Sequence, residues 1–308
     1  MRGHCISITS RLRVAALALI GLSQSAAADP KAVQLKYAWR AGMGGSVIIN
    51  ATEERSEGGV ARTIERELTI RQSFTTETSG RDLQVRFKAP SLSVRYGAGE
   101  GANRTVLELV VADINVDSKG QFAGIVDADR FRQQMLDLGG CCIDRSLLQQ
   151  EALEAHALGW WLAVVAMWDG TSIAPGVPHR TTDTVPLPAD PAIMIRRHTT
   201  MQMTGLHPCV RDHKLLTCVA LESESVVESE DYLRALAAYR NAHLSRTDGK
   251  PELPAAATMR VKMRLVTEPD SLVPHDWAVT QTVTLTKDSG SSRLFTHVTT
   301  WTATYSYP

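Results

Sequence analysis

Two cysteines in the C-terminal half of the chain flank a short polar turn. Cys209 and Cys218 stand on either side of the segment Val-Arg-Asp-His-Lys-Leu-Leu-Thr. Because strands on both sides of such a turn bring their side chains together, we expect a disulfide between Cys209 and Cys218. In the chain-entropy model, a bridge that closes a loop of about ten residues stabilises a fold by roughly 2–3 kcal/mol.

Cys141 and Cys142 form a second pair, adjacent in sequence. A disulfide fits poorly across a single peptide unit, so each of these cysteines could instead reach Cys209 or Cys218. Several connectivities are compatible with these four residues, and the sequence leaves the choice between them open.

Methionine, histidine and cysteine are dense in the same region, and soft thioether, thiolate and imidazole ligands suit copper. The alternation of side chains along a strand explains the methionines equally well as core residues, and two of the histidines lie near the polar turn. We therefore expect no metal site and no cofactor. The residues of this set are Met194, His198, Met201, Met203, His207, Cys209 and His213.

Three tryptophans lie close together in an apolar run that ends at Trp168. Large aromatic side chains of this kind either fill a core between helix and sheet or line an apolar pocket. We retain Trp160, Trp161 and Trp168 as candidate ligand-binding residues.

Motifs of the common catalytic and nucleotide-binding sites, such as Gly-x-Ser-x-Gly or a P-loop, are absent from the sequence. In the adjacent pairs Asp212-His213 and His275-Asp276, neighbouring side chains on a strand point to opposite faces, so neither pair forms a dyad by itself. Basic and acidic residues balance at 33 each, which argues against a nucleic-acid-binding surface. We expect binding rather than catalysis, with no catalytic residue to assign.

Residues 1–28 have the features of a secretory signal peptide. Arginines precede an apolar stretch at 14–22, and the alanines at 26–28 suit cleavage after Ala28. The apolar stretch is too short to span a bilayer, which argues against an uncleaved anchor. The longest apolar run elsewhere, residues 157–168, has only 12 residues, so we expect no transmembrane segment after cleavage. The sequence thus predicts a periplasmic or secreted protein in a compartment that permits disulfides.

Apolar and polar residues alternate through much of the N-terminal third and again in the C-terminal half, as expected for antiparallel strands with one buried face. One such strand carries Ile64, Leu68, Ile70 and Phe74 on one side. Asp117-Ser-Lys-Gly120 is a turn signal that predicts a hairpin.

Two helices are expected between residues 127 and 159, the second from Asp144, while residues 160–168 fit either a helix or a buried strand. A later helix is expected after residue 224, with Ser225 and Glu228 spaced as a capping box. The order of elements predicts an α+β fold, mainly an antiparallel β-sheet in the form of a curved sheet or half-barrel, with a helical insert and one later helix.

Residues 29–308 are expected to form a single β-rich domain. The proline-rich stretch 175–191, which contains five prolines, marks the place where that domain could divide.

The succession of amphipathic strands, the Asp117–Gly120 hairpin, the helical insert and the returning Thr-rich strands resembles uncharacterised secreted β-rich domains of bacteria. In layout, residues 33–307 are also distantly similar to periplasmic lipoprotein-carrier half-barrels. That resemblance implies a curved sheet and covering helices around a hydrophobic cavity, and it transfers no functional residue.

We therefore interpret the chain as an exported, non-catalytic binding protein for an apolar ligand or a segment of another envelope protein. The alternative is a structural or protein-interaction factor of the envelope, such as an immunity-type partner, which needs no pocket. An enzyme or a copper-binding protein is a less favoured reading.

Overall fold

The structure is a computed structural model that describes residues 32–58, 63–88, 90–96, 110–139, 148–187, 190–243, 253–287 and 293–308. The predicted signal peptide, Cys141 and Cys142 lie outside these residues, so their predictions stay untested.

The fold is α+β, with a large curved antiparallel sheet and three helices in the described part of the chain. The strands are β1 (Val33–Gln34), β2 (Gly44–Glu57), β3 (Thr63–Ser79), β4 (Asp82–Phe87), β5 (Ser91–Tyr96), β6 (Ile114–Val116), β7 (Phe122–Ile125), β8 (Ser172–Ile173), β9 (His179–Leu187), β10 (Asp190–Arg211), β11 (Lys214–Val227), β12 (Ala256–Thr267), β13 (Pro274–Lys287) and β14 (Arg293–Ser306). The helices are α1 (Ala128–Gly139), α2 (Gln150–Trp161) and α3 (Ser229–His243).

Twelve strands form one sheet in the order β7-β6-β4-β3-β2-β14-β13-β12-β11-β10-β9, with β5 paired to β3 beside β4. Strands β1 and β8 form a separate two-stranded sheet. Within the described ranges the edge strands β7 and β9 do not pair with each other, so the large sheet is open. The predicted fold class is confirmed.

Alternation along the strands separates an inner face, which packs against the helices, from an outer face. The inner face carries the largest hydrophobic core, whose sheet residues include Val47, Ile49, Leu68, Ile70, Phe74, Leu221, Leu265, Val279, Trp301 and Ala303. Ile64 departs from the predicted pattern. The register of β2 and β3 shifts between Glu53 and Glu54, and Ile64 beyond that bulge is 54% exposed.

The N-terminal segment continues the predicted alternation although only Val33–Gln34 is a strand. Leu35 and Trp39 are buried, and the backbone N–H groups of Leu35 and Lys36 donate to the carbonyls of Thr171 and Pro269. Extended backbone thus satisfies its hydrogen bonds against two separate loops instead of a neighbouring strand.

The helical insert between β7 and β8 covers one end of the inner face. Asp127 caps α1, because its Oδ1 accepts a hydrogen bond from the backbone N–H of Arg130 at 2.9 Å. Helix α2 begins at Gln150, and a π-helical turn over Leu162–Ala166 extends it. Sequence periodicity allowed either a helix or a buried strand for residues 160–168. They are helical as far as Ala166, and Met167 and Trp168 lie in a turn.

The predicted Asp117–Gly120 turn joins β6 to β7 and contacts the helical insert through Trp161. Gly120 has φ of +81°, and a Cβ there would lie 2.6 Å from Cδ1 of Tyr37, so only glycine fits. The carbonyl of Gly120 accepts a 2.8 Å hydrogen bond from Nε1 of Trp161. A local turn signal therefore also anchors a core side chain.

Helix α3 covers the other end of the inner face. It begins at Ser229, so the predicted capping box at Ser225 and Glu228 is wrong. Ser225 belongs to β11, and its hydroxyl shares a 2.9 Å hydrogen bond with the hydroxyl of Thr199 on the neighbouring strand. Sheet pairing therefore takes precedence over the local helix-start signal.

A second hydrophobic core lies between α3 and the sheet. Tyr232 and Ala235 of the helix are buried against strand residues Val185, Ile195, Val227, Ala257, Met259, Val283 and Leu285. The proline-rich stretch contributes directly to this region, since β9 and the start of β10 pair as a hairpin at the edge of the sheet. Pro186 lies in that edge strand, where a missing N–H is tolerated. One sheet thus contains strands from both sides of the stretch, and the single domain stays a prediction.

His156 on α2 makes the stability of this fold depend on pH. Its Nε2 lies 2.8 Å from the carbonyl of Val110, and its ring stacks on Phe131 at 6.0 Å between centroids. Burial lowers the pKa of His156 below its usual value, and the hydrogen bond to Val110 opposes that shift only partly. The folded state therefore keeps this histidine neutral at a pH where the unfolded chain already binds a proton.

We expect the free energy of unfolding to fall as the pH drops below about 6.5, the unfolded-state pKa of histidine, towards the lower pKa of the folded state. Urea denaturation at a series of pH values measures this loss. The variant His156→Gln, which keeps an N–H donor, should show a shallower decline, whereas His179→Gln at an exposed position should match the parent. Equal slopes for the parent and His156→Gln would contradict the assignment.

Candidate functional site

Cross-strand pairing arranges the inner face in rows that run perpendicular to the strands. Two neighbouring rows at the end covered by the helical insert are mainly apolar. One contains Ile70, Ile49, Ala303, Trp277, Leu265, Leu221 and Met203. The other contains Leu68, Ala51, Trp301, Val279, Met263, Ser223 and Met201. Together they form a broad apolar surface across seven strands.

The next row separates this surface from the core beneath α3, and it is polar at every position but one. It contains Glu53, Thr299, Gln281, Val261, Ser225, Thr199 and Thr181, and we call it the polar row. Glu53, Thr299, Gln281 and Thr199 are all buried. The inner face therefore holds a buried polar belt between two hydrophobic cores.

Three of the six polar side chains of this row, Glu53, Ser225 and Thr199, have hydrogen-bond partners within the protein. Oε1 of Glu53 lies 2.7 Å from Nε2 of His297 on β14, and Thr199 bonds Ser225. Gln281 differs from them. Its Nε2 lies 3.5 Å from the sulfur of Met259, a weak contact, and its Oε1 has no hydrogen-bond partner among the described residues.

Trp277 is the second residue on this strand with an unmatched polar atom. Its indole Nε1 is buried and likewise lacks a partner within the described ranges. Trp277 and Gln281 stand four positions apart on one face of β13, which separates their Cα atoms by about 13 Å along the strand. Buried polar atoms are nearly always hydrogen-bonded in folded proteins, so a donor for Gln281 and an acceptor for Trp277 are missing among the described residues.

The three tryptophans selected from the sequence belong to the helical insert, Trp160 and Trp161 at the end of α2 and Trp168 in the turn that follows the π-helical segment. Trp161 and Trp168 are fully buried, and Nε1 of Trp168 donates to the carbonyl of Ala163 at 3.1 Å. Trp160 is partly exposed; its Nε1 lies 3.2 Å from the hydroxyl of Tyr305, and its ring meets Phe87 edge-on. Their indole N–H groups are thus all satisfied internally, and a ligand-binding role for them stays a prediction.

The predicted disulfide between Cys209 and Cys218 is confirmed, with the Cα atoms 5.9 Å apart. It links β10 and β11 near the tip of their hairpin. Because the structure pairs these two sulfurs with each other, the alternative bridges to Cys141 or Cys142 do not form in this state.

A buried polar network lies beside the disulfide. Glu268 accepts a hydrogen bond from Ser271 at 2.7 Å and forms an ion pair with Arg211 at 2.8 Å, and its Oε1 lies 3.1 Å from Nε2 of His275. Burial alone would raise the pKa of Glu268, yet the hydrogen bonds from His275 and Ser271 and the charge of Arg211 outweigh it and lower the pKa. Glu268 is therefore an anchored carboxylate that holds the imidazole in place.

Sequence reasoning missed both Gln281 and His275 as candidate site residues. His275 was considered only with its neighbour Asp276, whereas its partner Glu268 comes from the preceding loop. Gln281 carried no signal beyond being a polar residue in an alternating strand. In both cases the decisive neighbours belong to other strands or loops.

The set of methionines and histidines considered for copper is not brought together. Met203 is buried on the inner face, whereas Met194 is 54% exposed. His198 bonds the hydroxyl of Thr182, and Nδ1 of His207 bonds the carbonyl of Pro208. These contacts place the side chains of the set on different sides of the hairpin.

Comparisons with protein-family models and with curated proteins find no match to this chain. Among solved structures, the chain is similar to one of lipovitellin described for its lipid–protein interactions, with a TM-score of 0.40 and 10% sequence identity. The likeness covers 88% of this chain and 26% of the lipovitellin chain, so the chain spans about a quarter of that protein's length. No residue role is transferred from it.

Helices of the described ranges are all too short or too polar to span a bilayer.

Proposed function

We propose that this chain is an exported binding protein whose inner face holds an amphipathic ligand, with an apolar body and at least one hydrogen-bonding group. The observation that carries this proposal is the pair of buried, unmatched atoms on β13, Oε1 of Gln281 and Nε1 of Trp277. They lie on the inner face, beside two rows that are mainly apolar. A bound molecule with a donor and an acceptor would satisfy both.

The cost of burying polar atoms without partners favours a bound ligand over two atoms that stay permanently unmatched. A buried polar atom without a partner costs about 1–3 kcal/mol, and Gln281 is only 2% exposed. Exchanging the amide oxygen and nitrogen does not remove the problem, because one of the two atoms would still face no partner. The apolar rows beside Gln281 supply the surface for a hydrocarbon body.

The apolar inner face also continues to the exposed end of the β10–β11 hairpin, which gives a ligand a route to the buried rows. After the bulge between Met203 and Gly205, Leu206 pairs with Val219 and so extends the inner face along the β10–β11 hairpin. Val219 is fully buried, while Leu206 is 67% and Leu215 77% exposed. We infer that apolar molecules reach the buried rows from this hairpin.

Export to an oxidising compartment, such as the periplasm, is part of the proposal. The Cys209–Cys218 disulfide is a bond that such compartments maintain. The predicted signal peptide would supply the route.

The test compares two ligands and one variant. Monopalmitoylglycerol offers hydroxyl donors and acceptors, whereas methyl palmitate offers acceptors only. We expect native mass spectrometry of the delipidated protein to show tighter binding of monopalmitoylglycerol. Gln281→Met should weaken its binding at least tenfold, about 1.4 kcal/mol, and erase the preference over methyl palmitate.

Gln202→Met is the matched control, because Gln202 lies on the outer face and bonds Glu222. It should leave both affinities unchanged. A protein that binds neither ligand, or a Gln281→Met variant that binds both like the parent, would overturn the proposal.

Urea denaturation of the ligand-free Gln281→Met variant adds a second readout, since removal of an unmatched amide should leave the fold at least as stable as the parent.

A further inference from the structure

The disulfide has a third potential ligand beside it. One sulfur of each of Cys209 and Cys218 and one ring nitrogen of His275 all lie within 4.8 Å of one another. Within the described ranges, no other three His, Cys, Asp or Glu side chains are grouped in this way. Ligand atoms around a tetrahedral zinc ion lie roughly 3–4 Å apart, so only small side-chain shifts separate this arrangement from a metal site.

The surroundings of His275 are those of a metal ligand. Because the carboxylate of Glu268 can only accept, Nε2 of His275 donates to Oε1, and Nδ1 is the ring nitrogen that is left to ligate a metal ion. A carboxylate behind a ligating histidine fixes the ring and raises its basicity. Glu268 is itself held by Arg211 and Ser271, so the imidazole has little freedom to turn away from the two sulfurs.

Burial and charge also suit a metal ion. Cys218 is fully buried, and Cys209 and His275 are 7% and 6% exposed. Two thiolates neutralise a divalent cation, and the nearby Arg211–Glu268 pair is already neutral as a unit. A buried site without net charge avoids the large desolvation cost of an isolated ion.

We propose that Cys209, Cys218 and His275 form a redox-controlled site for a thiophilic divalent ion of the zinc class, closed in the disulfide state and open after reduction. The step requires a dithiol or phosphine reductant. A dithiol transfers two electrons and two protons to the disulfide and becomes a disulfide itself, which leaves two thiols on the protein. Metal binding then releases those two thiol protons and forms two metal–sulfur bonds and one metal–nitrogen bond. The fourth tetrahedral position stays open to water.

This site is separate from the proposed ligand site. Cys218 alternates along β11 with the inner-face residues Val219 and Leu221 and so lies on the outer face, whereas Trp277 and Gln281 lie on the inner face. Reduction should leave the sheet intact, since the bridge closes only a short loop of a chain with extensive cores. Metal binding can therefore be measured on the folded protein.

The experiment uses the full chain with Cys5, Cys141 and Cys142 replaced by serine, so that Cys209 and Cys218 are its remaining cysteines. After reduction with a phosphine, titration with Co²⁺ should give a thiolate-to-cobalt charge-transfer band that saturates at one ion per chain, and Zn²⁺ should abolish it. The oxidised protein should show no band. Circular dichroism before and after reduction verifies that both states are folded.

His275→Gln should weaken Co²⁺ binding at least tenfold and change the spectrum, because one of three protein ligands is lost. His297→Gln is the matched control, since His297 is also a histidine bonded to a carboxylate, Glu53, is partly buried, and lies on β14 away from the cysteines. It should bind Co²⁺ like the parent. A reduced, folded parent without the band, or equal binding by His275→Gln, would overturn the proposal.

Discussion

Replacing Trp161 with alanine is expected to lower the free energy of unfolding by about 3–5 kcal/mol. The side chain is completely buried at the point where the N-terminal segment, the helical insert and the Gly120 turn meet. Its ring contacts Tyr37 and Trp39 edge-on, at 5.7 Å and 5.2 Å between centroids. Alanine would leave a cavity bordered by three separate segments, none of which can close it alone.

Urea denaturation followed by circular dichroism measures this loss. Trp161→Phe serves as the comparison, because it keeps a large aromatic ring at this point but loses the hydrogen bond to Gly120 and part of the ring, a loss of about 1–2 kcal/mol. A loss under about 1 kcal/mol for the alanine variant would show that Trp161 does not join these segments. If the variant is too unstable to purify, the phenylalanine variant still reports the hydrogen bond.

Replacing Arg211 with methionine is expected to cost about 1.5–3 kcal/mol, because the buried carboxylate of Glu268 loses its ion-pair partner. Arg211 contributes a 2.8 Å ion pair to Glu268, whose side chain is only 9% exposed. Methionine preserves the aliphatic packing, so the loss of stability measures the cost of burying the Glu268 carboxylate without its Arg211 partner. His275 and Ser271 remain as partners of Glu268 and keep the cost below that of a fully isolated buried charge.

The matched variant is Arg234→Met on α3. Arg234 pairs with Glu230 at 2.9 Å and with Asp231 at 2.7 Å, yet its side chain is 66% exposed. Exposed pairs of this kind contribute about 0–1 kcal/mol, so this variant should lie close to the parent in a thermal or urea unfolding curve. Equal effects of the two substitutions would show that burial of Glu268 is not what makes the Arg211 pair matter.

Local features of this protein were predictable because each depends on neighbours in sequence. The Asp117–Gly120 turn and the Cys209–Cys218 bridge join positions a few residues apart, and both are present. Two predictions from local sequence are wrong, and both concern residues in strands that pair with another strand. Ser225 was expected to start a helix and Ile64 to face the core, and in both cases pairing with another strand decided the outcome.

The candidate sites could not be predicted in the same way. The polar row brings Glu53 next to Thr299 and Thr199 next to Ser225, pairs that come from distant parts of the chain or depend on one specific register. A shift of one residue in any of these strands would turn a whole set of side chains to the opposite face. Gln281 therefore has the same local pattern as many polar strand residues, and only its buried surroundings distinguish it.

From the sequence alone, the period-2 alternation determines that this chain builds an antiparallel sheet with one buried face, because the alternation of side chains is a property of the strand itself. The tertiary structure alone decides which buried residues meet. It places His275 beside the two sulfurs and leaves Gln281 without a hydrogen-bond donor in the part of the chain that it describes. The physical reason is that strand register and loop docking depend on the packing free energy of the whole sheet, which no short stretch of sequence contains.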